Sequence, residues 1–177
     1  STTTTTTRVG ADTNKKALCI GINNYQGTAN DLRGCVNDAK AWNSMLYGRF
    51  NFGSVTTLLD NKATKSNVIR EIKNLVANAK AGDVIAITYS GHGTTVPDRN
   101  GDEDDGRDEA ICLYDGNLID DDIKSLISKL NPDAKLVFIS DSCHSGTVTR
   151  QFLNAMSNEN PPIPRYMPPE DDMEAVA

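Results

Sequence analysis

The chain has 177 residues and a formal net charge of −6, with 38% hydrophobic and 24% charged residues. This composition is typical of a soluble globular protein that is long enough to bury one core. No apolar run approaches the roughly 20 residues that cross a bilayer, and the acidic balance argues against nucleic acid as a partner. We therefore expect neither a membrane nor a nucleic acid as partner.

The acidic residues are concentrated in two places. Residues 98–124 contain 11 acids against three bases, and residues 170–174 contain four acids. The rest of the chain is mildly basic, with 15 bases against nine acids. The four cysteines are far apart, and two of them lie in apolar runs, which favours reduced thiols and a cytoplasmic protein.

The order of predicted elements indicates an α/β fold. Residues 1–13 begin with a threonine-rich run, which predicts a disordered tail. In residues 14–156, short apolar runs alternate with segments of helical periodicity, which predicts a mostly parallel sheet covered by helices. The expected strands are 16–22, 55–59, 84–89 and 136–140, and the expected helices are 32–46, a segment after Thr64 that stops at Gly82, and 119–130. The Pro-rich, acidic residues 157–177 predict a linker.

Two of the predicted strand ends carry reactive side chains. His92 lies in the Gly-containing segment 89–94, and Cys143 lies in the similar segment 140–146. A histidine base activates a thiol near neutral pH, and ligands bind beyond the carboxyl ends of parallel strands. A single His or Cys is more often structural, but this pairing at matching strand ends favours catalysis. His144 is a weaker candidate for the base, and the spacing of His and Cys is not that of a zinc site.

These motifs resemble the p20-type catalytic domain of metacaspases. The segments that carry the resemblance are 17–22, 34–39, 89–94, 120–123 and 141–146. The catalytic His precedes the Cys by about 50 residues in caspases, and the same order and spacing occur here. The resemblance implies a caspase-hemoglobinase-like three-layer sandwich and a cysteine endopeptidase that cleaves after Arg or Lys. His92 and Cys143 would form the dyad, and the backbone N–H groups of Gly93 and Cys143 would bind the oxyanion.

The resemblance also implies a pocket for the basic P1 side chain of the substrate. Its residues would be Cys35, Asp38, Ser90 and Asp141. Two carboxylates would give a guanidinium group charge-assisted hydrogen bonds. Without the resemblance, Asp38 is equally a helix-surface charge, and Asp141 is equally a cap of the following turn.

Calcium is the cofactor that the resemblance implies, as an activator without a catalytic role. Its ligands would be Asp108, Asp120 and Asp121, whose oxygen atoms suit a hard cation. For residues 98–105, an acidic solvated loop is an equal alternative. The resemblance also implies that some calcium-dependent relatives carry a carboxylate seven residues after the catalytic Cys, where this chain has Arg150.

The resemblance further implies a p10-type region or subunit as a partner, and protein or peptide substrates. Arg150 and Arg165 are the candidate sites of self-cleavage. The alternative function is a catalytically silent module of the same fold that binds partners in response to calcium.

Overall fold

The computed structural model describes residues 3–7, 12–25, 31–97, 107–144 and 147–154. Its strands are β1 (Thr3–Thr7), β2 (Asp12–Gly21), β3 (Phe52–Leu59), β4 (Val84–Gly91), β5 (Gly93–Pro97), β6 (Arg107–Leu113), β7 (Gly116–Ile119), β8 (Lys135–His144) and β9 (Thr147–Asn154). Its helices are α1 (Cys35–Gly48), α2 (Lys65–Ala77) and α3 (Asp120–Ile127), with a 3-10 turn at Asp60–Lys62. The predicted alternation of strands and helices is confirmed.

The central sheet has six strands in the order β1-β3-β2-β4-β8-β9. The four inner strands are parallel to one another, and the outer strands β1 and β9 pair with them in the antiparallel direction. The four predicted apolar runs form the parallel strands, as expected for strands that are buried on both faces. A separate antiparallel sheet contains β5, β6 and β7.

Helices cover both faces of the central sheet. Alternate residues of a strand point to opposite faces, and β2 shows this clearly. Leu18 and Ile20 pack in one cluster with α2 and α3, whereas Ala17 and Cys19 pack in the other cluster with α1. The chain therefore forms a sandwich of three layers, which confirms the predicted fold class.

The start of α2 follows the sequence signal. The Thr64 hydroxyl accepts a hydrogen bond from the Asn67 N–H at 3.2 Å, so the predicted N-cap is confirmed. Val68, Ile72 and Val76 are buried at a spacing of four residues and face the core.

The expected disordered tail at residues 1–13 was wrong for its described part. Residues Thr3–Thr7 form β1, which pairs with β3, and the hydroxyls of Thr5 and Thr56 are 2.9 Å apart. β2 also begins inside the expected tail, at Asp12. Threonine is β-branched and favours strands, so a run of threonines joins an available sheet edge despite its low complexity.

The strands near the predicted site are longer than expected. β4 continues to Gly91, and β8 continues to His144 before β9 follows. The acidic segment 98–106 and the predicted linker 157–177 lie outside the described residues. In the described part of the chain, no helix is long and apolar enough to cross a membrane.

Candidate active site

The register of the central sheet aligns the predicted catalytic segments. Gly91 of β4 pairs with Ser142 of β8. The residue after Gly91 is His92, and the residue after Ser142 is Cys143, so both predicted dyad residues follow this pair directly. The backbone therefore brings the two positions to the same edge of the sheet. The side chain of Cys143 lies outside the described part of the structure.

Two tyrosine hydroxyls bind the backbone of His92. The His92 N–H donates to the Tyr25 hydroxyl at 2.8 Å, and the Tyr89 hydroxyl donates to the His92 carbonyl oxygen at 2.6 Å. The carbonyl oxygen of Cys112 lies within hydrogen-bond distance of both hydroxyls, at 2.9 Å from Tyr25 and 2.6 Å from Tyr89. The ring of Tyr25 also lies against the imidazole, with 5.1 Å between the ring centroids.

Burial keeps these two hydroxyls neutral. Desolvation raises the pKa of Tyr25 and the pKa of Tyr89 well above the ordinary value. Both groups therefore stay protonated at the pH values at which a thiol–imidazole pair works. The two oxygen atoms lie 3.1 Å apart, within hydrogen-bond distance.

Gly91 leaves the room that the two hydroxyls occupy. A Cβ atom at this position would lie 2.7 Å from the Tyr25 hydroxyl and closer still to the Tyr89 hydroxyl. Only a glycine fits here without displacing one of them. The glycine before the predicted base therefore provides the space in which the two hydroxyls form their hydrogen bonds.

The turn after β2 holds Tyr25 in place. The Tyr25 N–H donates to the Asp31 carboxylate at 3.1 Å. The Asp60 carboxylate accepts from the N–H groups of Asn23 and Asn24, at 2.9 Å and 3.0 Å. Asp60 has a φ of 50°, a left-handed conformation that Asp tolerates better than most residues. Tyr25 thus follows a turn that is fixed from two sides.

The same turn caps α1. Gly34 precedes the helix with a φ of 89° and offers no side-chain cap. The Asn23 side-chain oxygen instead accepts from the N–H groups of Cys35 and Val36, at 2.8 Å and 3.2 Å. Asn23 thereby satisfies two of the backbone donors that a helix start leaves unpaired.

Three of the four residues of the predicted P1 pocket are brought together. Gly21, Ser90 and Asp141 are direct register partners across β2, β4 and β8, so the last two share one face of the sheet. Cys35 is fully buried. Its backbone packs against Gly21 of this row, since a Cβ on Gly21 would lie 2.5 Å from the Cys35 carbonyl oxygen. Asp38 lies one turn further along α1 and is half-buried.

The buried Ser90 hydroxyl is notable in this row. It is 0% exposed, and its oxygen has no hydrogen-bond partner among the described residues. Buried hydroxyls in proteins are usually paired. The atom is therefore suited to accept or donate a hydrogen bond to a ligand that enters beside Asp141.

The ladder of the small sheet orients the Gly93 N–H. Opposite residues of an antiparallel pair exchange either two hydrogen bonds or none. The Cys112 N–H donates to the His92 carbonyl at 2.9 Å, so His92 and Cys112 form a hydrogen-bonded pair. The next pair along the strands, Gly93 and Ile111, is therefore a non-hydrogen-bonded pair. Since β5 is an edge strand of its sheet, the Gly93 N–H points away from β6 toward the open edge.

The backbone positions of the predicted calcium ligands lie toward one end of the small sheet. Ala110 of β6 pairs with Ile119, after which Asp120 and Asp121 begin α3, and Asp108 lies two residues before Ala110. The Asp120 carboxylate lies 2.9 Å from the ammonium of Lys124. Among the described residues no three acidic, His or Cys side chains form a metal-like group, and the side chain of Asp108 is not described. Carboxylate oxygens nevertheless fit the chemistry of a hard cation.

Sequence reasoning missed Tyr25, Asn23 and Asp60. Tyr89 was noted only as part of the segment that contains His92. A usable signal existed for the tyrosines, because an aromatic residue with a polar tip at a buried strand end usually finds a hydrogen-bond partner. The partners themselves are distant in sequence, 67 residues in the case of Tyr25 and His92.

Comparison with known proteins places the chain in a family. Residues 15–151 match the family described as metacaspase, peptidase C14 domain. Metacaspase-4 of Arabidopsis thaliana is 45% identical over 141 residues, which cover 75% of this chain and 34% of that protein. Metacaspase-1 of Meyerozyma guilliermondii is 42% identical over 146 residues, with coverages of 75% and 35%.

The fold has a solved counterpart. A crystal structure of a protein from Geobacter sulfurreducens is 40% identical, with a TM-score of 0.66, and the match covers 75% of this chain and 52% of that chain. The chain spans about a third of the length of the two curated relatives. The family match covers most of the chain, including His92 and Cys143, so this chain belongs to the metacaspase family of peptidase C14 domains.

Proposed function

We propose that this chain carries the catalytic residues of a cysteine endopeptidase that cleaves after Arg or Lys. The observation that carries the proposal is the row of Gly21, Ser90 and Asp141, which ends next to the positions of His92 and Cys143. Hydrolysis of a peptide bond needs a nucleophile, a base and a side-chain pocket at one place. Membership of the metacaspase family supports the peptidase class.

In the proposed reaction, His92 takes the proton of the Cys143 thiol, and the sulfur attacks the scissile carbonyl carbon. The N–H groups of Gly93 and Cys143 bind the oxyanion that forms. The C–N bond then breaks, His92 returns the proton to the leaving amine, and a thioester remains on Cys143. Water attacks this thioester with His92 as base, which releases the carboxylic acid product and restores the thiol. Such a base contributes about 10²–10⁴-fold to the rate.

The pocket chemistry supports a basic P1 residue. Asp141 is half-buried beside Ser90, and Asp38 is half-buried in the first turn of α1. A guanidinium or ammonium group would bind the carboxylates with charge-assisted hydrogen bonds. One of its N–H groups would also satisfy the buried Ser90 oxygen, which an acidic P1 side chain could do only while repelling the carboxylates.

We further propose that calcium activates the enzyme through Asp108, Asp120 and Asp121. The donor set consists of carboxylates at one end of the small sheet. Asp120 would have to exchange its ion pair with Lys124, whose side chain is 56% exposed, for contacts with the ion. The ion would neutralise acidic residues of the small sheet, whose strand β5 follows His92 directly.

Self-processing belongs to the same proposal. Arg150 and Arg165 would be cleaved by the chain's own specificity, with a p10-type region as partner of the sheet. Mass spectrometry of the wild type and of a Cys143→Ala variant tests this. Fragments ending at either arginine are expected only in the wild type, and the same fragments in the variant would contradict self-cleavage.

The decisive assay compares peptides with Arg, Lys or Asp at P1, with and without calcium. Hydrolysis after Arg and Lys is expected, and Cys143→Ala and His92→Ala should each lower kcat at least about 10³-fold. Asp141→Asn and Asp38→Asn should lower kcat/KM for Arg peptides about tenfold to hundredfold, whereas the exposed control Asp133→Asn should not.

Three results would refute the proposal at different points. Hydrolysis by Cys143→Ala would refute the nucleophile, and preference for Asp at P1 would refute the pocket. A wild type that binds calcium but cleaves no peptide would favour the silent interaction module.

A further inference from the structure

The hydroxyls of Tyr25 and Tyr89 form a hydrogen-bonded group with the backbone of His92. Each hydroxyl has one proton, and the Tyr25 oxygen already accepts from the His92 N–H. The Tyr25 proton therefore goes to the Cys112 carbonyl or to Tyr89, and the Tyr89 proton goes to the carbonyl of His92 or of Cys112. The His92 N–H is thereby bound by the Tyr25 hydroxyl, and the His92 carbonyl oxygen lies 2.6 Å from the Tyr89 hydroxyl.

Tyr25 adds a contact to the imidazole itself. Its ring lies 5.1 Å from the imidazole centroid at an interplanar angle of 46°. A ring at this distance restricts the side-chain rotations that would move the imidazole away. Tyr25 thus contacts His92 twice, once at the backbone and once at the ring.

Tyr25 is itself held by groups that have no other evident part in the site. Asp31 binds its N–H, and Asp60 binds the turn that precedes it. The hydroxyl reaches His92 from a different strand end, so the contact is made by the tertiary fold and not by neighbours in sequence.

We propose that Tyr25 is a positioning residue that holds the His92 imidazole in the orientation required for proton transfer with Cys143. This proposal rests on the proposed role of His92 as the base. In this proposal Tyr25 contacts neither the substrate nor the Cys143 sulfur, and it acts only through His92. Positional errors near 1 Å can cost about 10²-fold in rate, so a group that fixes the base affects turnover more than substrate binding.

The first test separates kcat from KM. Tyr25→Phe keeps the ring and removes the hydroxyl, and kcat on an Arg peptide should fall about tenfold while KM stays within about twofold. The matched control is Tyr114→Phe, a half-buried tyrosine in the turn between β6 and β7, which should leave both constants unchanged. Equal kcat values for the two variants would overturn the proposal, as would a change confined to KM. Urea unfolding of both variants checks that they are folded.

The second test does not need catalysis. The chain has two histidines, so the NMR signals of the His92 imidazole can be assigned with a His144→Gln variant. Tyr25→Phe should shift or broaden the His92 ring signals and speed hydrogen exchange of the His92 N–H, and Tyr114→Phe should do neither. Unchanged His92 signals would overturn the positioning role. If the wild type cleaves no peptide, the proposed function fails while this second test still decides the role of Tyr25.

Discussion

Replacing Gly91 with alanine tests the packing between the two tyrosines and His92. The added methyl carbon would lie 2.7 Å from the Tyr25 hydroxyl and from the ring of Tyr89, well inside the roughly 3.5–4.0 Å of a favourable contact. Overpacking of this kind costs about 1–3 kcal/mol. Displacing a buried hydroxyl also breaks hydrogen bonds worth about 0.5–1.5 kcal/mol each. Alanine regains up to about 1 kcal/mol of backbone entropy relative to glycine.

The free energy of unfolding should therefore fall by about 2–3 kcal/mol in Gly91→Ala. Urea unfolding followed by circular dichroism measures it. The control is Gly48→Ala in α1, where a Cβ meets no atom within 4 Å and alanine favours the helix. In combination with Tyr25→Phe the two losses should not add, because both changes act on the same group. A Gly91→Ala variant as stable as Gly48→Ala would refute the described packing.

Three further changes test the surroundings of the site. Asn23→Ala should lower the free energy of unfolding by about 1–2 kcal/mol, because it leaves two N–H groups of the α1 start without their acceptor; the exposed Asn37→Ala should change it by less than about 0.5 kcal/mol, and an equal loss in both would argue against the cap. Asp60→Ala should cost about 2 kcal/mol in the same measurement, since two backbone hydrogen bonds are lost, whereas Asp60→Asn keeps the oxygen and should cost less than half of that. Burial raises the pKa of the Cys19 thiol from 9.0 to about 11. The neutral buried thiol therefore contributes fully to the free energy of unfolding below pH 9.0, and this contribution disappears as the pH rises to about 11. The free energy of unfolding measured across this pH range should fall less in Cys19→Ala than in the wild type, and an equal fall in both proteins would contradict the shift.

The sequence predicted the parallel strands and the site edge because both depend on local patterns. Runs such as 84–89 are apolar at every position, which indicates burial on both faces. The site edge followed from where polar, Gly-containing segments leave those runs. In contrast, the threonines of β1 have a composition that suits a tail as well as a strand, and only the free edge of β3 decides between them. The role of Tyr25 depends on a hydrogen bond across 67 residues, which no local pattern encodes.

The proposed P1 pocket and the proposed calcium ligands differ in how far sequence reasoning reached. The resemblance implied all four pocket residues, and the observed register places two of them, Ser90 and Asp141, side by side. Asp38 needed the family resemblance, because a half-buried acid on a helix looks like any surface charge. For the small sheet, the pairing of β6 with β7 was not predicted, although this register determines where the backbone of Asp108 lies relative to the start of α3.

The strand formed by Thr3–Thr7 bears on how the protein behaves at high concentration. β1 covers the outer edge of β3 along five residue pairs. An uncovered strand edge offers its N–H and carbonyl groups to any other extended chain. Removal of these five residues would therefore leave a sheet that can join its neighbours edge to edge. A threonine run that looks dispensable in the sequence thus closes one edge of the central sheet.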